Sequence, residues 1–474
     1  MKVMLVKPKS STDTLLPILG LGYLAAETRK KHDTHLLNCI VENKSDYQFG
    51  KEVKRLKPDV VGIQTFTLDS VITKHYIKII REIDPKITIV LGGPHPSALP
   101  QSTFDYFEAD FAFKGDAEKG FSQFCDLVEQ AGGRRGNGTR AMLEDPAELK
   151  KIPGLVWKSA KGLTNANPIW IPMELDELPF PAWDLMRPDF YPLSPHAAFM
   201  QNFPISPMMV SRGCPFDCTF CASFITKGRQ VRYRSVDNVI EEIKLLIGTY
   251  GIKEIQFIDD NFTLSRSYVK NFCQRIIDEK LKFSWCCPNG VRLDTLRPDM
   301  LELMREAGCY SLSVGIESGS QRVLDFTKRD TPLKMIEEKV DMITNAGIET
   351  VGFFILGFPT EKSHEIEQTI DFSLSLNLER ANFMNYHPFP GTESWHYLRH
   401  AGEMDRVNPY SQSFAEVAYI PKGMTRSKLK SFQRQAFLRF YLRPRYLWGL
   451  VKRIKNLEHA TFIIKRIWRW MTSK

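Results

Sequence analysis

The sequence predicts an α/β protein with two successive parallel sheets and a basic helical region at its C-terminal end. Residues 1–135 and 204–400 both alternate short apolar runs with helical runs, a pattern typical of parallel strands that helices cover on both faces. A chain of 474 residues is also too long for one hydrophobic core. We therefore predict a first domain at 1–135, a linker with a hairpin at 136–203, a second domain at 204–400 and a basic helical region at 401–474.

The composition is typical of a globular protein in a reducing compartment. Hydrophobic residues make up 43% of the chain and charged residues 25%. We expect no signal peptide, because Lys7-Pro8 interrupts the first apolar run, and no apolar run reaches the ~18 residues of a membrane-spanning helix. Nine cysteines, an odd number, argue against a disulfide framework. We expect a cytoplasmic protein.

Five apolar runs in the first domain predict parallel strands. They lie at 3–6, 35–41, 59–63, 87–91 and 110–113. Five such strands suit a flavodoxin-like or Rossmann-like sheet, whose ligands bind beyond the carboxyl ends of the strands. Two of those ends carry the motifs Gly92-Gly93-Pro94-His95 and Gly115-Asp116-Ala117-Glu118. Their glycines would let a bulky ligand approach the backbone closely.

The second domain repeats the alternation of strands and helices. Its strand candidates lie at 208–210, 254–258, 282–286, 310–315, 350–355 and 381–384, and polar residues follow each of them. Between the domains, apolar runs at 155–157 and 169–171 on either side of Lys161-Gly162 predict a hairpin. A glycine-rich stretch at 132–138 predicts a flexible loop.

Three cysteines lie together near the start of the second domain. Cys214, Cys218 and Cys221 form a C-x3-C-x2-C run, so three thiolates within eight residues can surround one soft metal centre. Because a cubane cluster has four irons, three thiolates leave one iron open to a substrate or cofactor. The alternative, a structural zinc site, usually has a second separated pair of ligands. Cys286-Cys287 do not supply it, since they are adjacent and lie past a whole helix and strand.

This cysteine run resembles the signature of the radical S-adenosylmethionine (SAM) superfamily. The resemblance implies a [4Fe-4S] cluster held by Cys214, Cys218 and Cys221, with SAM bound to the open iron and cleaved to a 5'-deoxyadenosyl radical. It places Phe220 beside the adenine of SAM. It also implies that the six strand–helix units form a partial (βα)6 TIM-type barrel, with its chemistry at the carboxyl ends of the strands.

The same resemblance assigns further SAM contacts to those strand ends. Asp259 and Asp260 stand where the family binds the amino group of SAM, which needs oxygen acceptors. Arg292 is placed to pair with the carboxylate, and Ser313 and Glu317 are placed for the ribose hydroxyls. The alternatives are a turn or cap for the Asp-Asp-Asn sequence and a solvated charge for the arginine.

Two further pairs of residues have open roles. Tyr386 and His387 follow the last strand and are either proton or hydrogen donors or simple lining of a substrate pocket. Cys286 and Cys287 lie on a strand, and we expect buried packing residues rather than a functional thiol or an extra ligand.

The first domain is similar to the cobalamin-binding domain of the cobalamin-dependent radical SAM class. The resemblance rests on the two glycine motifs and implies that Gly92, Gly93, His95, Gly115 and Glu118 contact cobalamin. Many cobalamin domains supply a histidine to the cobalt from a D-x-H-x-x-G loop after the first strand, but this chain has none there. We therefore expect no histidine ligand from that loop, and a packing role for the histidine of the Gly-Gly-Pro-His motif. A degenerate domain that binds nothing is the alternative.

The C-terminal region carries the basic character of the chain. From 421 to 474 there are 15 Lys or Arg and one acid, which gives +14, so the remainder carries 9 − 14 = −5. Basic amphipathic helices with Trp commonly lie on anionic membrane surfaces, and the alternative is a helical cap that packs on the acidic remainder. Nucleic acid is not expected, because no binding module accompanies the charge.

Together these patterns predict an enzyme, a cobalamin-dependent radical SAM methyltransferase that acts on an unactivated carbon. The resemblance implies that one SAM remethylates cobalamin and another generates the radical. A cyclase or oxidoreductase, like the anaerobic porphyrin ring-forming relatives, is the alternative, and a non-enzymatic iron–sulfur protein is a third. We expect a small-molecule or lipid-like substrate, a low-potential electron donor such as ferredoxin or flavodoxin, and peripheral association with the inner face of the membrane.

Overall fold

A computed structural model describes most of the chain. The described residues are 1–9, 18–133, 146–159, 161–191, 200–408, 410–411, 413–414, 416–444, 446 and 461. Residues 10–17, most of the predicted flexible loop, and much of the predicted basic helical region (447–460 and 462–474) lie outside them. No helix in the described part of the chain is long and apolar enough to cross a membrane.

Strands and helices alternate in the first 191 residues. The strands are β1 (Lys2–Lys7), β2 (Asp33–Asn38), β3 (Val60–Gln64), β4 (Thr88–Gly92), β5 (Phe111–Phe113), β6 (Leu155–Lys158) and β7 (Thr164–Ala166). The helices are α1 (Leu19–Thr28), α2 (Asp46–Leu56), α3 (Ser70–Ile83), α4 (Pro94–Ala98), α5 (Thr103–Tyr106), α6 (Glu118–Gln130) and α7 (Trp183–Met186). Short 3-10 helices lie at Thr67–Asp69, Leu149–Lys151, Leu175–Glu177 and Pro188–Phe190.

These strands form one sheet in the order β2-β1-β3-β4-β5-β6-β7. The first five are parallel, and their 2-1-3-4-5 order is the flavodoxin-like one of the two predicted arrangements. Successive residues of β1 alternate between two apolar cores, with Val3 and Leu5 in one and Met4 and Val6 in the other. Helices cover both faces, which explains why the strands are uniformly apolar.

The predicted hairpin forms, but its second strand differs from the prediction. It consists of 164–166 instead of 169–171, and β6 pairs antiparallel with β5, so the hairpin extends the first sheet. The apolar run at 169–171 instead contacts the segment that follows β5. Ile169 packs against Gly115, and Trp170 forms an isolated bridge with Asp116.

Four short elements surround the cysteine run. They are β8 (Ile205–Met208), β9 (Ser211–Arg212), α8 (Ser223–Lys227) and β10 (Arg232–Tyr233), with β9 paired to β10. The chain divides into two compact units at this point. The first unit comprises residues up to 191 with 212–215 and 222–234, and the second comprises 200–211, 216–221 and the described residues from 235 onward.

The second unit is built on a parallel sheet of six strands. The strands after β8 are β11 (Glu254–Phe257), β12 (Ser284–Val291), β13 (Cys309–Glu317), β14 (Glu349–Leu356) and β15 (Arg380–Asn385). The helices are α9 (Val236–Tyr250), α10 (Arg266–Asp278), α11 (Pro298–Glu306), α12 (Gln321–Phe326), α13 (Leu333–Asn345), α14 (Ser363–Ser375), α15 (Glu393–His400) and α16 (Arg426–Tyr441). Further 3-10 helices lie at Leu293–Thr295 and Met404–Arg406.

The sheet order β15-β14-β13-β12-β11-β8 follows the chain, and every neighbouring pair is parallel. Six consecutive parallel strands joined by helices confirm the predicted partial barrel, and the carboxyl ends of its strands lie at one edge. The first strand begins and ends earlier than the predicted 208–210. The reason is that the amides of Val210 and Ser211 donate to the carboxylate of Asp259.

Candidate functional site

The three cysteines of the signature are more exposed to solvent than the other cysteines of the chain. Cys214, Cys218 and Cys221 are partly exposed, whereas the other six cysteines are buried. Cys214 belongs to the first unit, and Cys218 and Cys221 belong to the second. Among the described residues, no three His, Cys, Asp or Glu side chains are placed to hold a metal ion between them. A four-iron cluster does not require the three cysteines to converge on one ion, because each thiolate binds a separate iron.

Two buried arginines lie beside Cys218. The Sγ atom of Cys218 is 3.7 Å from Nη1 of Arg292 and 3.8 Å from Nη1 of Arg329. A cluster held by three thiolates is anionic, and nearby positive charges stabilise it. The cationic surroundings therefore fit an anionic iron–sulfur cluster at this loop.

Arg292 also makes several other contacts. Its Nε and Nη2 donate to the carboxylate of Asp294 at 3.0 and 2.9 Å, and its guanidinium lies 3.7 Å from the centre of the Phe216 ring. Its Nη2 also donates to the backbone oxygen of Arg329 at 2.8 Å. The fork that was predicted to bind the SAM carboxylate is thus largely engaged by Asp294.

Sequence reasoning missed Arg329. It follows helix α12 instead of a strand, between Lys328 and Asp330, which both have positive φ. Its Nη2 donates to the backbone oxygen of Gly315 at 2.7 Å and lies 3.6 Å from the Glu317 carboxylate. Its buried Nε donates to no acceptor among the described residues. No local pattern in the sequence marks this position.

Glu317 lies in an unusual backbone position at the end of β13. Its φ is +66°. A Cβ at Gly315 would lie 2.4 Å from its Oε1, so a larger residue at 315 would displace the Glu317 carboxylate. Burial raises the pKa of Glu317, and the positive charges of Arg329 and Arg292 oppose that shift. Ser313, also predicted to contact the ribose, is buried on the same strand.

Asp259 binds the start of the cysteine loop. Its Oδ1 accepts from the Ser211 amide at 2.6 Å and the Ser211 hydroxyl at 2.5 Å, and both its oxygens lie 3.2 Å from the Val210 amide. These donors occupy the buried carboxylate that was predicted to bind the SAM amino group. Its neighbour Asp260 is only half-buried.

An aromatic row connects the signature with the last strands. The ring of Phe220 lies 5.5 Å from that of Phe358, which lies 5.2 Å from that of Tyr386. The hydroxyl of Tyr386 donates to Ser394 at 2.7 Å, and Ser394 donates to the backbone oxygen of Thr219 at 2.9 Å. Burial raises the pKa of Tyr386. These contacts give Tyr386 a structural role in supporting the signature loop.

The other residues with open roles are buried as well. His387 lies 3.1 Å from both the Asn385 backbone oxygen and the Ser411 hydroxyl, and burial lowers its pKa. Cys286 and Cys287 are buried on β12, and burial raises the pKa of Cys286 to about 12. Such thiols are weak nucleophiles, which is consistent with the packing role expected from the sequence.

The first unit contains a cavity of about 140 Å³ at the carboxyl ends of β3, β4 and β5. Five glycines line it: Gly20, Gly62, Gly92, Gly93 and Gly115. A Cβ on Gly92 would meet no atom within 4 Å, so its missing side chain leaves open space. A backbone this exposed fits close contact with a bulky ligand such as cobalamin.

The two polar residues predicted to contact cobalamin differ in position. His95 is not among the residues that line the cavity. Its Nδ1 lies 3.2 Å from the Thr67 hydroxyl, its ring packs edge-on against Phe107, and burial lowers its pKa to about 4. Glu118 lines the cavity, and its Oε1 accepts from Nη2 of Arg212 at 2.7 Å.

A flavodoxin-like unit with a glycine-lined cavity and a parallel partial barrel with a three-cysteine loop are together typical of radical SAM proteins with a cobalamin domain. Comparison with protein families agrees with this class. Residues 208–373 match the model of the radical SAM superfamily, and residues 10–124 match that of the B12 binding domain.

Known proteins resemble the chain over nearly its whole length. It is 34% identical over 98% of its length to the uncharacterized methyltransferase PH0819 of Pyrococcus horikoshii, and covers 97% of that protein. It is 26% identical over 95% of its length to the anaerobic magnesium-protoporphyrin IX monomethyl ester cyclase of Rubrivivax gelatinosus, and covers 80% of it. The solved radical SAM methyltransferase TsrM from Kitasatospora setae shares the fold, with a TM-score of 0.72 at 15% identity over 92% of this chain and 88% of that one.

The chain therefore belongs to the cobalamin-dependent radical SAM enzymes. Its cofactors are a [4Fe-4S] cluster, SAM and cobalamin, and it needs a reductant and a small-molecule substrate. The methyltransferase relative is more similar to the chain than this cyclase, which favours methyl transfer.

Proposed function

We propose that the enzyme transfers the methyl group of SAM, by way of cobalamin, to an unactivated carbon of its substrate. The observation that carries the proposal is the presence of two cofactor sites in one chain. One is the cysteine loop with two arginines on Cys218, and the other is the glycine-lined cavity of the first unit. When bound, the cluster and SAM supply hydrogen abstraction, and cobalamin supplies methyl transfer.

At the SAM site, this chain's residues bind and orient the cofactor. Cys214, Cys218 and Cys221 would hold the cluster, and Phe220, whose ring packs against Phe358, would lie beside the adenine. Ser313 and Glu317 contact the ribose from β13, as the resemblance implies. Because the ribose hydroxyls can donate, Glu317 can accept from them.

The charged ends of SAM need partners of opposite sign. We assign the amino group to Asp260, because the carboxylate of Asp259 is already bound to Val210 and Ser211. For the carboxylate, both Arg292 and Arg329 are candidates, but the Arg292 fork is bound to Asp294 and the Arg329 Nε is not engaged by a described residue. A buried N–H of this kind is expected to find an acceptor in the loaded enzyme.

At the cobalamin site, Gly92 permits close approach of the ligand, because a Cβ there would meet open space, and Glu118 supplies a hydrogen-bond acceptor. Gly93 and Gly115 line the same cavity, and a Cβ on either would approach Thr65 or Ile169. His95 supports the loop without ligating cobalt, since its ring is buried against Phe107. Two glycines of the cradle, Gly93 and Gly115, have positive φ, so larger residues there would also strain the backbone.

We further propose a lipid-like substrate and peripheral membrane association. Helix α16 supports this, because its exposed face carries Arg426, Lys428 and Arg434 while Leu429 and Phe432 face the interior. Basic faces of this kind bind anionic lipid surfaces. Sedimentation of the purified protein with anionic liposomes at low salt is the expected result, and no sedimentation would reject the membrane proposal.

The second candidate function is that of a cyclase or oxidoreductase. The similarity to the Rubrivivax gelatinosus cyclase supports it. One anaerobic assay separates the two. The reconstituted enzyme with cobalamin, SAM and a low-potential reductant should yield both 5'-deoxyadenosine and S-adenosylhomocysteine, with deoxyadenosine lost in Cys218→Ala. Deoxyadenosine alone would favour the second candidate, and neither product would contradict both.

A further inference from the structure

Arg212 lies between two carboxylates at the edge of the cavity in the first unit. Its Nη2 donates to Glu118 Oε1 at 2.7 Å, and its Nη1 lies 3.0 Å from Asp116 Oδ1. Arg212 is 3% exposed, and both carboxylates belong to residues that line the cavity. A second arginine, Arg232, reaches Asp116 at 3.5 Å. The cavity wall and the cysteine loop are thus joined by a buried ionic network.

The segment from Arg212 to Cys214 has little freedom to move independently. A Cβ on Gly213 would lie 2.3 Å from the backbone oxygen of Gln230, and the Cys214 amide donates to the backbone oxygen of Gly228 at 3.3 Å. The chain at Gly213 and Cys214 is therefore packed tightly against 228–230. Because Arg212 lies two residues before Cys214, the ion pairs of its side chain restrain one end of the segment that carries the thiol.

Glu118 has a second, unused oxygen. Its Oε2 is buried and accepts no hydrogen bond from the described residues. A buried acceptor without a donor costs free energy, which a donor on a ligand in the cavity would recover. Cobalamin carries amide N–H and hydroxyl groups of the required kind. One carboxylate can therefore bind the ligand with Oε2 and Arg212 with Oε1.

We propose that Glu118 and Arg212 couple cobalamin binding to cluster retention, with Glu118 as a shared ligand-binding residue and Arg212 as a positioning residue for Cys214. The inference rests on the proposed assignment of the cavity to cobalamin and of Cys214 to the cluster. A ligand that orients Glu118 also orients Arg212 and so favours the cluster-binding position of the thiol. The guanidinium suits this role, because its fork contacts both carboxylates at once.

Coupling of this kind is reciprocal. If the cluster tightens cobalamin binding by some factor, cobalamin must stabilise the bound cluster by the same factor. Couplings in proteins are typically about 5- to 150-fold. We expect the wild-type chain to bind hydroxocobalamin at least about fivefold more tightly with its cluster than without it.

The test compares cluster-loaded and cluster-free chains by anaerobic equilibrium dialysis with hydroxocobalamin. Glu118→Gln and Arg212→Lys are the test variants, since the first removes the charge that binds Arg212 and the second cannot contact both carboxylates. Asp110→Asn is the matched control, because Asp110 pairs with Arg81 at 2.7 Å at the amino end of β5 in the same unit. The iron retained at equilibrium against a competing chelator, with and without hydroxocobalamin, gives the reciprocal measurement.

Loss of the affinity difference in both test variants but not in Asp110→Asn would support the inference. An equal affinity with and without the cluster in the wild type, or an unchanged difference in both variants, would overturn it. Neither result tests methyl transfer, which is measured separately by its products. If the wild type binds no hydroxocobalamin, the assignment of the cavity to cobalamin is wrong as well. Thermal unfolding of each variant identifies any that fails to fold. The affinity difference in the variant that does fold then tests the inference.

Discussion

Nη1 of Arg329 lies 3.8 Å from Sγ of Cys218, although the two residues are 111 positions apart in the sequence. A buried positive charge beside a cluster ligand stabilises the reduced, more negative form of the cluster. Arg329→Met should therefore lower the reduction potential by about 65–130 mV, which corresponds to the ~1.5–3 kcal/mol of a charge-assisted hydrogen bond for one electron. An EPR-monitored redox titration measures the shift. Arg329→Lys should shift less, and an unchanged potential in Arg329→Met would refute the electrostatic role.

Adjacent aspartates should give opposite phenotypes when each is changed to asparagine. Asp259→Asn weakens the contacts with Val210 and Ser211, so it should lower the free energy of unfolding by about 1–3 kcal/mol and reduce the iron content. Asp260→Asn should retain iron and stability but weaken SAM binding by about 10- to 100-fold. Iron analysis, urea unfolding and calorimetric titration with SAM provide the measurements. Weaker SAM binding without iron loss in Asp259→Asn would reverse the two assignments.

The cavity predicts a binding defect without a folding defect. Gly92→Ala adds a methyl group to open space, so the free energy of unfolding should change by less than about 0.5 kcal/mol. The same methyl group would occupy ligand volume, and cobalamin affinity should fall by about 5- to 100-fold, as for ~1–3 kcal/mol of overpacking. Gly248→Ala is the control, because it too meets no atom within 4 Å but lies in helix α9. Unaltered cobalamin binding in Gly92→Ala would place the ligand elsewhere.

Glu361 should make stability depend on pH. It is buried, its Oε2 accepts from the amides of Gly357 and Phe358, and burial raises its pKa from the usual 4.5 to about 8. Between these two values the folded state binds a proton that the unfolded state has released, so stability falls as pH rises from about 4.5 to about 8. The slope contributed by this group is at most about 1.4 kcal/mol per pH unit.

Glu361→Gln removes that titration while keeping an acceptor for the two amides. The difference in unfolding free energy between wild type and variant should therefore change with pH in favour of the variant as pH rises toward 8. Urea unfolding at several pH values measures it, with Glu338→Gln as an exposed control. A difference that stays constant across this range would show that Glu361 is ionised throughout.

Much of the fold followed from periodicity. The parallel strands alternate with helices, and burial on both sheet faces makes each strand a continuous apolar run, so β1 to β5 and all six barrel strands were predicted near their positions. The hairpin was placed too far along the chain, because the run at 169–171 is apolar for a different reason, its packing beside Gly115.

The site was predictable only where the residues form a local motif. Cys214, Cys218 and Cys221 follow a recognisable spacing, whereas Arg212 and Arg329 owe their positions to contacts with residues 94 and 111 positions away. Asp259 binds residues far away in the sequence, and no sequence pattern indicates that Arg292 binds Asp294. A single sequence contains no local signal for such pairs, and only the folded chain brings them together.

The most direct test of methyl transfer through cobalamin follows the methyl group itself. SAM with a deuterated methyl group is incubated anaerobically with the reconstituted enzyme, cobalamin and reductant, and mass spectrometry locates the label. Methyl transfer through cobalamin predicts labelled methyl in the cobalamin fraction with an equal amount of S-adenosylhomocysteine. With cobalamin below saturation, both should decrease in Gly92→Ala relative to Gly248→Ala. Deoxyadenosine formation with no label ever recovered with cobalamin would contradict methyl transfer through this cofactor.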